Sequence, residues 1–205
     1  MAHTDAGDIE ANATIDAKGA YQASVYGTQV DVARIVLASP LATTHIALHT
    51  EGVYDHKAAN DTLPLRGTFE GTVTQAEVMG YTYQHLALSG SYAHNLYEAV
   101  ATLDDPNGHL ALQATYNHTR RIPTYTLHLK ADSLDLNAMN LIDIHEGNSF
   151  SAMLHTHIRG ADLDQMTGEI AIDSLVMHRP TGDDYLIREI DLYSTDPTPE
   201  HKMLS

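Results

Sequence analysis

Apolar and polar residues alternate with a period of two along most of this chain, and that alternation restricts its fold more than any other feature. Ile9, Ala11, Ala13 and Ile15 alternate with Asp8, Glu10, Asn12, Thr14 and Asp16. Leu63, Leu65, Gly67, Phe69, Gly71 and Val73 alternate with Pro64, Arg66, Thr68, Glu70 and Thr72. Leu110, Leu112, Ala114 and Tyr116 alternate with His109, Ala111, Gln113 and Thr115. Residues i and i+2 of a strand share a face, so each run builds one apolar and one polar face. Weaker runs appear at 21–25, 46–50, 86–92, 97–103, 125–129, 152–158 and 186–192, and the chain is expected to hold about a dozen strands. The prediction is an all-β chain of antiparallel sheet with one wet side.

The punctuation agrees. Asp104-Asp105-Pro106-Asn107-Gly108 joins two alternating runs, with proline at a turn corner and a glycine able to take positive φ. Residues 93–95, 117–119 and 180–183 read as further turns. Two segments depart from the alternation. Residues 30–41 and 134–144 carry apolar side chains at helix-like spacing, and Asn137 is placed to cap a short helix before Ala138, Met139, Leu141 and Ile142. A single helical turn is expected around 162–166, closed by Gly168.

These departures recur. Val30-Asp31-Val32 followed by Ile46–Thr50 echoes Leu134-Asp135-Leu136 followed by Ala152–Thr156. A shorter echo sets Leu88 to His94 against Leu112 to His118, one hairpin later. Repetition on two scales predicts a repeating β-architecture. The domain reading is a flexible stretch at 1–7 ahead of one groove segment at 8–205, with a weak repeat of about 20–95 and 124–194. Both ends break off in strand-like or polar sequence, so the chain is expected to be a piece of a longer one. The longest apolar runs, such as Ile35 to Ala38, fall far short of the roughly 20 residues of a spanning helix.

Charge and composition narrow the function. Eleven Lys and Arg against 27 Asp and Glu leave −16, which excludes nucleic acid as a partner because that affinity needs basic residues to release counterions. With no cysteine, thiolate chemistry is excluded. Fourteen histidines invite a metal reading, but there is no HExxH and no third ligand at a recognisable spacing from His155 and His157. That pair has the parity of the polar face and reads as solvated. Asp104-Asp105 and Asp183-Asp184 flank turns, where aspartate bends the backbone. No Gly-x-Ser-x-Gly elbow or phosphate loop is present. No catalytic residue, metal ligand or cofactor is assigned, and the chain reads as a non-enzyme.

What remains is the apolar face, lined by Ile9, Ile15, Leu63, Leu65, Phe69, Val73, Leu86, Leu88, Leu110, Leu112, Tyr116, Tyr125, Leu127, Leu129, Leu154 and Ile158. Alternation this regular either buries its face against a second sheet or lines an elongated groove for something apolar. The shortage of large aromatics, with Trp absent and two Phe, favours the groove.

Several runs resemble the periplasmic body of the TamB-type AsmA-like proteins, the translocation and assembly module family. They are Leu63 to Val73, Val78 to Tyr83, Leu88 to Asn95, Leu103 to His109, Leu129 to Ala138 leading to Leu141-Ile142, and Ile158 to Asp164. The resemblance implies a curved β-groove, U-shaped in section, interrupted by one or two short helices. It further implies a non-enzymatic segment of an inner-membrane-anchored periplasmic bridge, conducting phospholipid acyl chains for outer-membrane biogenesis and protein assembly. An outer-membrane β-barrel assembly protein is an implied partner through other parts of such a chain. Two other readings are a β-sandwich adhesion or glycan-binding module, and a scaffold that docks a barrel by strand addition at an open edge. The same open edges predict end-to-end self-association.

Overall fold

Each alternating run becomes a strand except 186–192, which is split at Arg188-Glu189 between two strands, and each strand pairs antiparallel with its neighbours in one sheet. The computed structural model describes residues 2–4, 7–31, 41–55, 64–143, 147–161, 166–198 and 201–204. It has fourteen strands in chain order. They are β1 (Ala2–Thr4), β2 (Gly7–Ile15), β3 (Ala20–Asp31), β4 (Leu41–Tyr54), β5 (Leu65–Val78), β6 (Tyr81–Ala93) and β7 (Leu96–Asp105), then β8 (Gly108–Asn117), β9 (Thr124–Leu134), β10 (Ser149–Arg159), β11 (Thr167–His178), β12 (Asp184–Ile187), β13 (Ile190–Thr198) and β14 (His201–Leu204). The order in the sheet is the order in the chain, with β12 and β13 both lying beside β11. The sheet does not close into a barrel: among the described residues β1 pairs only with β2, and β14 only with β13. Ala2–Thr4 pairs with β2, so this part of the N-terminal stretch belongs to the sheet.

Short hairpins make this meander possible. Met79 and Gly80 both take positive φ between β5 and β6, as do His94 and Asn95 between β6 and β7. Such turns match the right-handed twist of the strands they join. Pro106 and Asn107 form the turn between β7 and β8, as the sequence implies, and Gly108 comes next at φ 139°.

Three strands carry a device that alternation hides. Gln29, His85 and Ser133 sit inside β3, β6 and β9 at φ 51°, 51° and 55°. A left-handed residue within a strand shifts the parity of the residues after it. In β9 the inward set Tyr125, Leu127, Leu129 and Ala131 therefore continues at Leu134. In β3 the set Tyr21, Ala23, Val25 and Gly27 continues at Val30. The long sequence echo corresponds to this pair of bulges. A Cβ on Gly7 would come within 2.9 Å of Val30 Cα, and one on Gly108 within 2.7 Å of Leu134 Cα. Each glycine thus lets a neighbouring strand approach the bulge closely.

The segment 134–144 is not a helix as far as it is described. Met139 N–H donates to Asp135 O at 3.0 Å, a single helical turn, and the Asp135 carboxylate, not Asn137, accepts from Ala138 N–H at 2.9 Å. Asn140 then takes φ 57°. Leu141 N–H reaches back to Leu136 O at 2.9 Å and Asn140 N–H to Asn137 O at 3.0 Å. That is the closing pattern of a helix C-terminus, met one turn after the start. The described residues contain no helix. The expected interruption at 30–41 has its ends in β3 and β4 with 32–40 outside the described residues, and most of the turn expected at 162–166 also lies outside them.

Among the described residues few side chains are fully buried. The buried apolar ones are Val30, Val73, Ala76, Leu103, Ala131, Leu134, Met139 and Ala171, too few to fill a two-layer core. The accessible surface, 13618 Å², exceeds the roughly 9400 Å² of a compact monomer of 22.4 kDa. Both facts describe one sheet with an open face, not two sheets packed face to face.

Candidate functional site

The strand registers place the apolar positions in continuous rows across the sheet. One row runs Ile9, Gly27, Ile46, Val73, Leu86, Leu103, Leu110, Ala131, Ala152 and Leu175, each directly opposite the next. The next runs Ala11, Val25, Leu48, Gly71, Leu88, Ala101, Leu112, Leu129, Leu154 and Ile172. A third contains Phe69, Ala99, Ala114 and Leu127, and a fourth Ile15, Tyr21, Tyr92, Tyr97, Tyr116, Tyr125 and Ile158. From β2 to β11 each row takes nine strand steps of about 4.8 Å, roughly 43 Å in all.

Every described residue of the expected lining lies on this face. Val73 is buried, and the others are half-buried except Ile15, which is 64% exposed near the sheet edge. Leu63 lies outside the described residues. The opposite face is polar. Its central row reads Asn12, Ser24, His49, Glu70, Ser89, Val100, Gln113, His128 and His155.

The apolar face is concave. A hollow of about 440 Å³ is lined by Ile46, Val73, Leu86, Leu110, Leu112 and Leu129 among others, from strands as far apart as β4 and β9. Small residues on the inner face permit this curl, because a concave surface has less room per side chain. Phe69 covers Gly90, where an added Cβ would come within 2.5 Å of its ring. Gly52 and Gly67 make room for Tyr21: Cβ atoms there would come within 2.6 and 2.8 Å of its hydroxyl.

The two lips of the trough differ. At one, Tyr21 and Tyr92 share a hydrogen bond above Gly52 and Gly67, and Thr50 Oγ1 lies 2.8 Å from the Tyr92 hydroxyl. Burial, then the bond to Tyr92, pushes the Tyr21 phenol up to about 12. Tyr97, Tyr116 and Tyr125 continue this lip, with ring centroids 5.6 and 5.0 Å apart. Burial raises the Tyr116 phenol above its ordinary value, with Tyr125 and Tyr97 adding to it.

At the other lip the turn after β9 folds over the sheet. Met139, 1% exposed, packs with Leu103 and Leu134 against Tyr81, Tyr83 and Leu110. The Tyr83 hydroxyl donates to Met139 O at 3.3 Å, and Asn140 Nδ2 donates to Met79 O at 3.3 Å. Beneath it Asp105, 2% exposed, accepts from the Tyr81 hydroxyl, from Gln84 N–H at 2.9 Å and from Asn107 N–H at 3.0 Å. The sequence pattern predicts only a turn role for Asp105. It is also a buried acceptor holding the β5–β6 and β7–β8 turns together.

His155 and His157, read as solvated, lie on the polar face, opposite in parity to Leu154 and Ile158. His109 lies 2.7 Å from Asp104, His155 3.3 Å from Asp173 and His178 3.0 Å from Asp184. Among the described residues no three His, Asp or Glu converge as metal ligands. No helix among them is long and apolar enough to cross a membrane, which says nothing about strands. No family model, curated protein or solved structure matches this chain.

Proposed function

We propose that this chain is a non-enzymatic segment of a lipid-binding groove, holding phospholipid acyl chains along its concave face. We further propose that it acts as part of a TamB-like periplasmic bridge serving outer-membrane biogenesis. One observation carries the reading: continuous apolar rows about 43 Å long that, among the described residues, are covered only at one lip by the turn at 135–143. An uncovered apolar face of this extent is costly in water unless something apolar occupies it. Each acyl CH₂ moved onto it gains about 0.8 kcal/mol, while an open trough leaves the head group wet. The length of a row accommodates an extended acyl chain with room to move between positions.

The test is site-specific photo-crosslinking in the presence of phospholipid vesicles. A photoreactive residue at Leu112 is expected to form a lipid adduct, and one at its neighbour Gln113, on the polar face, is not. Equal adducts at both positions, or none at Leu112, would overturn the reading.

A further inference from the structure

The tyrosine lip carries a local concentration of positive charge in an acidic molecule. Between β8 and β9, two residues after Tyr116 and two before Tyr125, the loop 118–123 reads His118-Thr119-Arg120-Arg121-Ile122-Pro123. Arg120 and Arg121 are exposed, and neither is engaged by a carboxylate among the described residues. These two are adjacent in a chain with only 11 basic residues and a net charge of −16. Ile122 beside them is 42% exposed. The opposite lip is acidic, with Glu77, Asp104, Asp132, Asp135 and Asp143. The tyrosine lip thus carries a local cationic patch at the loop 118–123, although Asp16, Glu51 and Glu98 also lie along it, and the opposite lip is acidic.

Resting on the reading of the trough as an acyl-chain site, we propose that its occupant is an anionic phospholipid. Its phosphate lies at the loop 118–123, its ester region against Tyr97, Tyr116 and Tyr125, and its chain along the leucine rows. Guanidinium groups match phosphate oxygens in geometry as well as charge. Tyrosine suits the intermediate zone because its ring is apolar and its hydroxyl polar. Exposed isoleucine beside arginine is the combination that enters the boundary of an anionic bilayer. The acidic lip repels the same head group, so charge favours the orientation with the phosphate at the loop 118–123.

The experiment uses vesicles of phosphatidylglycerol or phosphatidylcholine, each doped with the same lipid class carrying a photoactivatable acyl chain. Labelling of trough peptides is compared for wild type and Arg120→Ser/Arg121→Ser. The expected result is a preference of about tenfold for phosphatidylglycerol, lost in the double variant and in high salt, with an unchanged melting curve. The salt titration on wild type needs no variant to fold. Equal trough labelling by both lipids, or a preference that survives both the double variant and salt, overturns the head-group site at the loop 118–123 and leaves the trough standing. Absence of trough labelling from either lipid overturns both.

Discussion

Asp105 shows how much a single carboxylate organises here. It is buried, and its three donors come from three separate places: the Tyr81 side chain, the Gln84 backbone and the Asn107 backbone. Removing the acceptor strands those donors in a poorly hydrated place, which costs about 3 kcal/mol or more. Asp105→Ala is therefore expected to lower stability by that amount in urea unfolding, whereas Asp104→Ala, whose side chain is exposed, is expected to change it by less than about 0.5 kcal/mol. Tyr21 makes a prediction about pH. Its phenol ionises near 10 when unfolded and near 12 when folded, chiefly because burial disfavours the phenolate. The folded state then holds the proton more tightly, so this stabilisation is complete below pH 10 and is lost as pH rises toward 12. Melting temperatures measured from pH 9 to 12 are expected to fall more steeply for wild type than for Tyr21→Phe.

At the scale of elements, the alternation in the sequence made most of the sheet legible. Residues such as Leu110, Leu112 and Tyr116 needed only the period of two to be placed on one face. The short echo has a structural basis: Leu88 and Leu112 occupy one row, and Tyr92 and Tyr116 another, each pair separated by β7. The bulges were not legible, because Gln29, His85 and Ser133 look like ordinary polar strand residues and only their backbone reveals the change of parity. The turn at 134–144 misled for a related reason. Leu136 and Met139 reach the sheet at helix-like spacing, but from a turn that Asn140 closes after one cycle. Tertiary contact, not helix propagation, fixes that spacing. Met139→Ala is accordingly expected to cost about 2–4 kcal/mol in chemical denaturation. Leu141→Ala, exposed on the same turn, is expected to be nearly neutral.

For the whole molecule, the central claim is that the apolar face lines an open trough and is not a closed core. Leu112 stands in the middle of that face, half-buried, with Leu110 and Leu129 lining the same hollow. In an open trough an arginine there extends its charged end into water along the groove. In a closed core it buries an unpaired charge, which costs about 3–5 kcal/mol, or roughly 6–20 °C in melting temperature for a chain of this size. The melting temperature of Leu112→Arg, followed by circular dichroism, separates the two. A fall of less than about 4 °C with the β-sheet signal intact is what the open trough predicts. A collapse of the folded signal, or a fall well beyond about 6 °C, would contradict it.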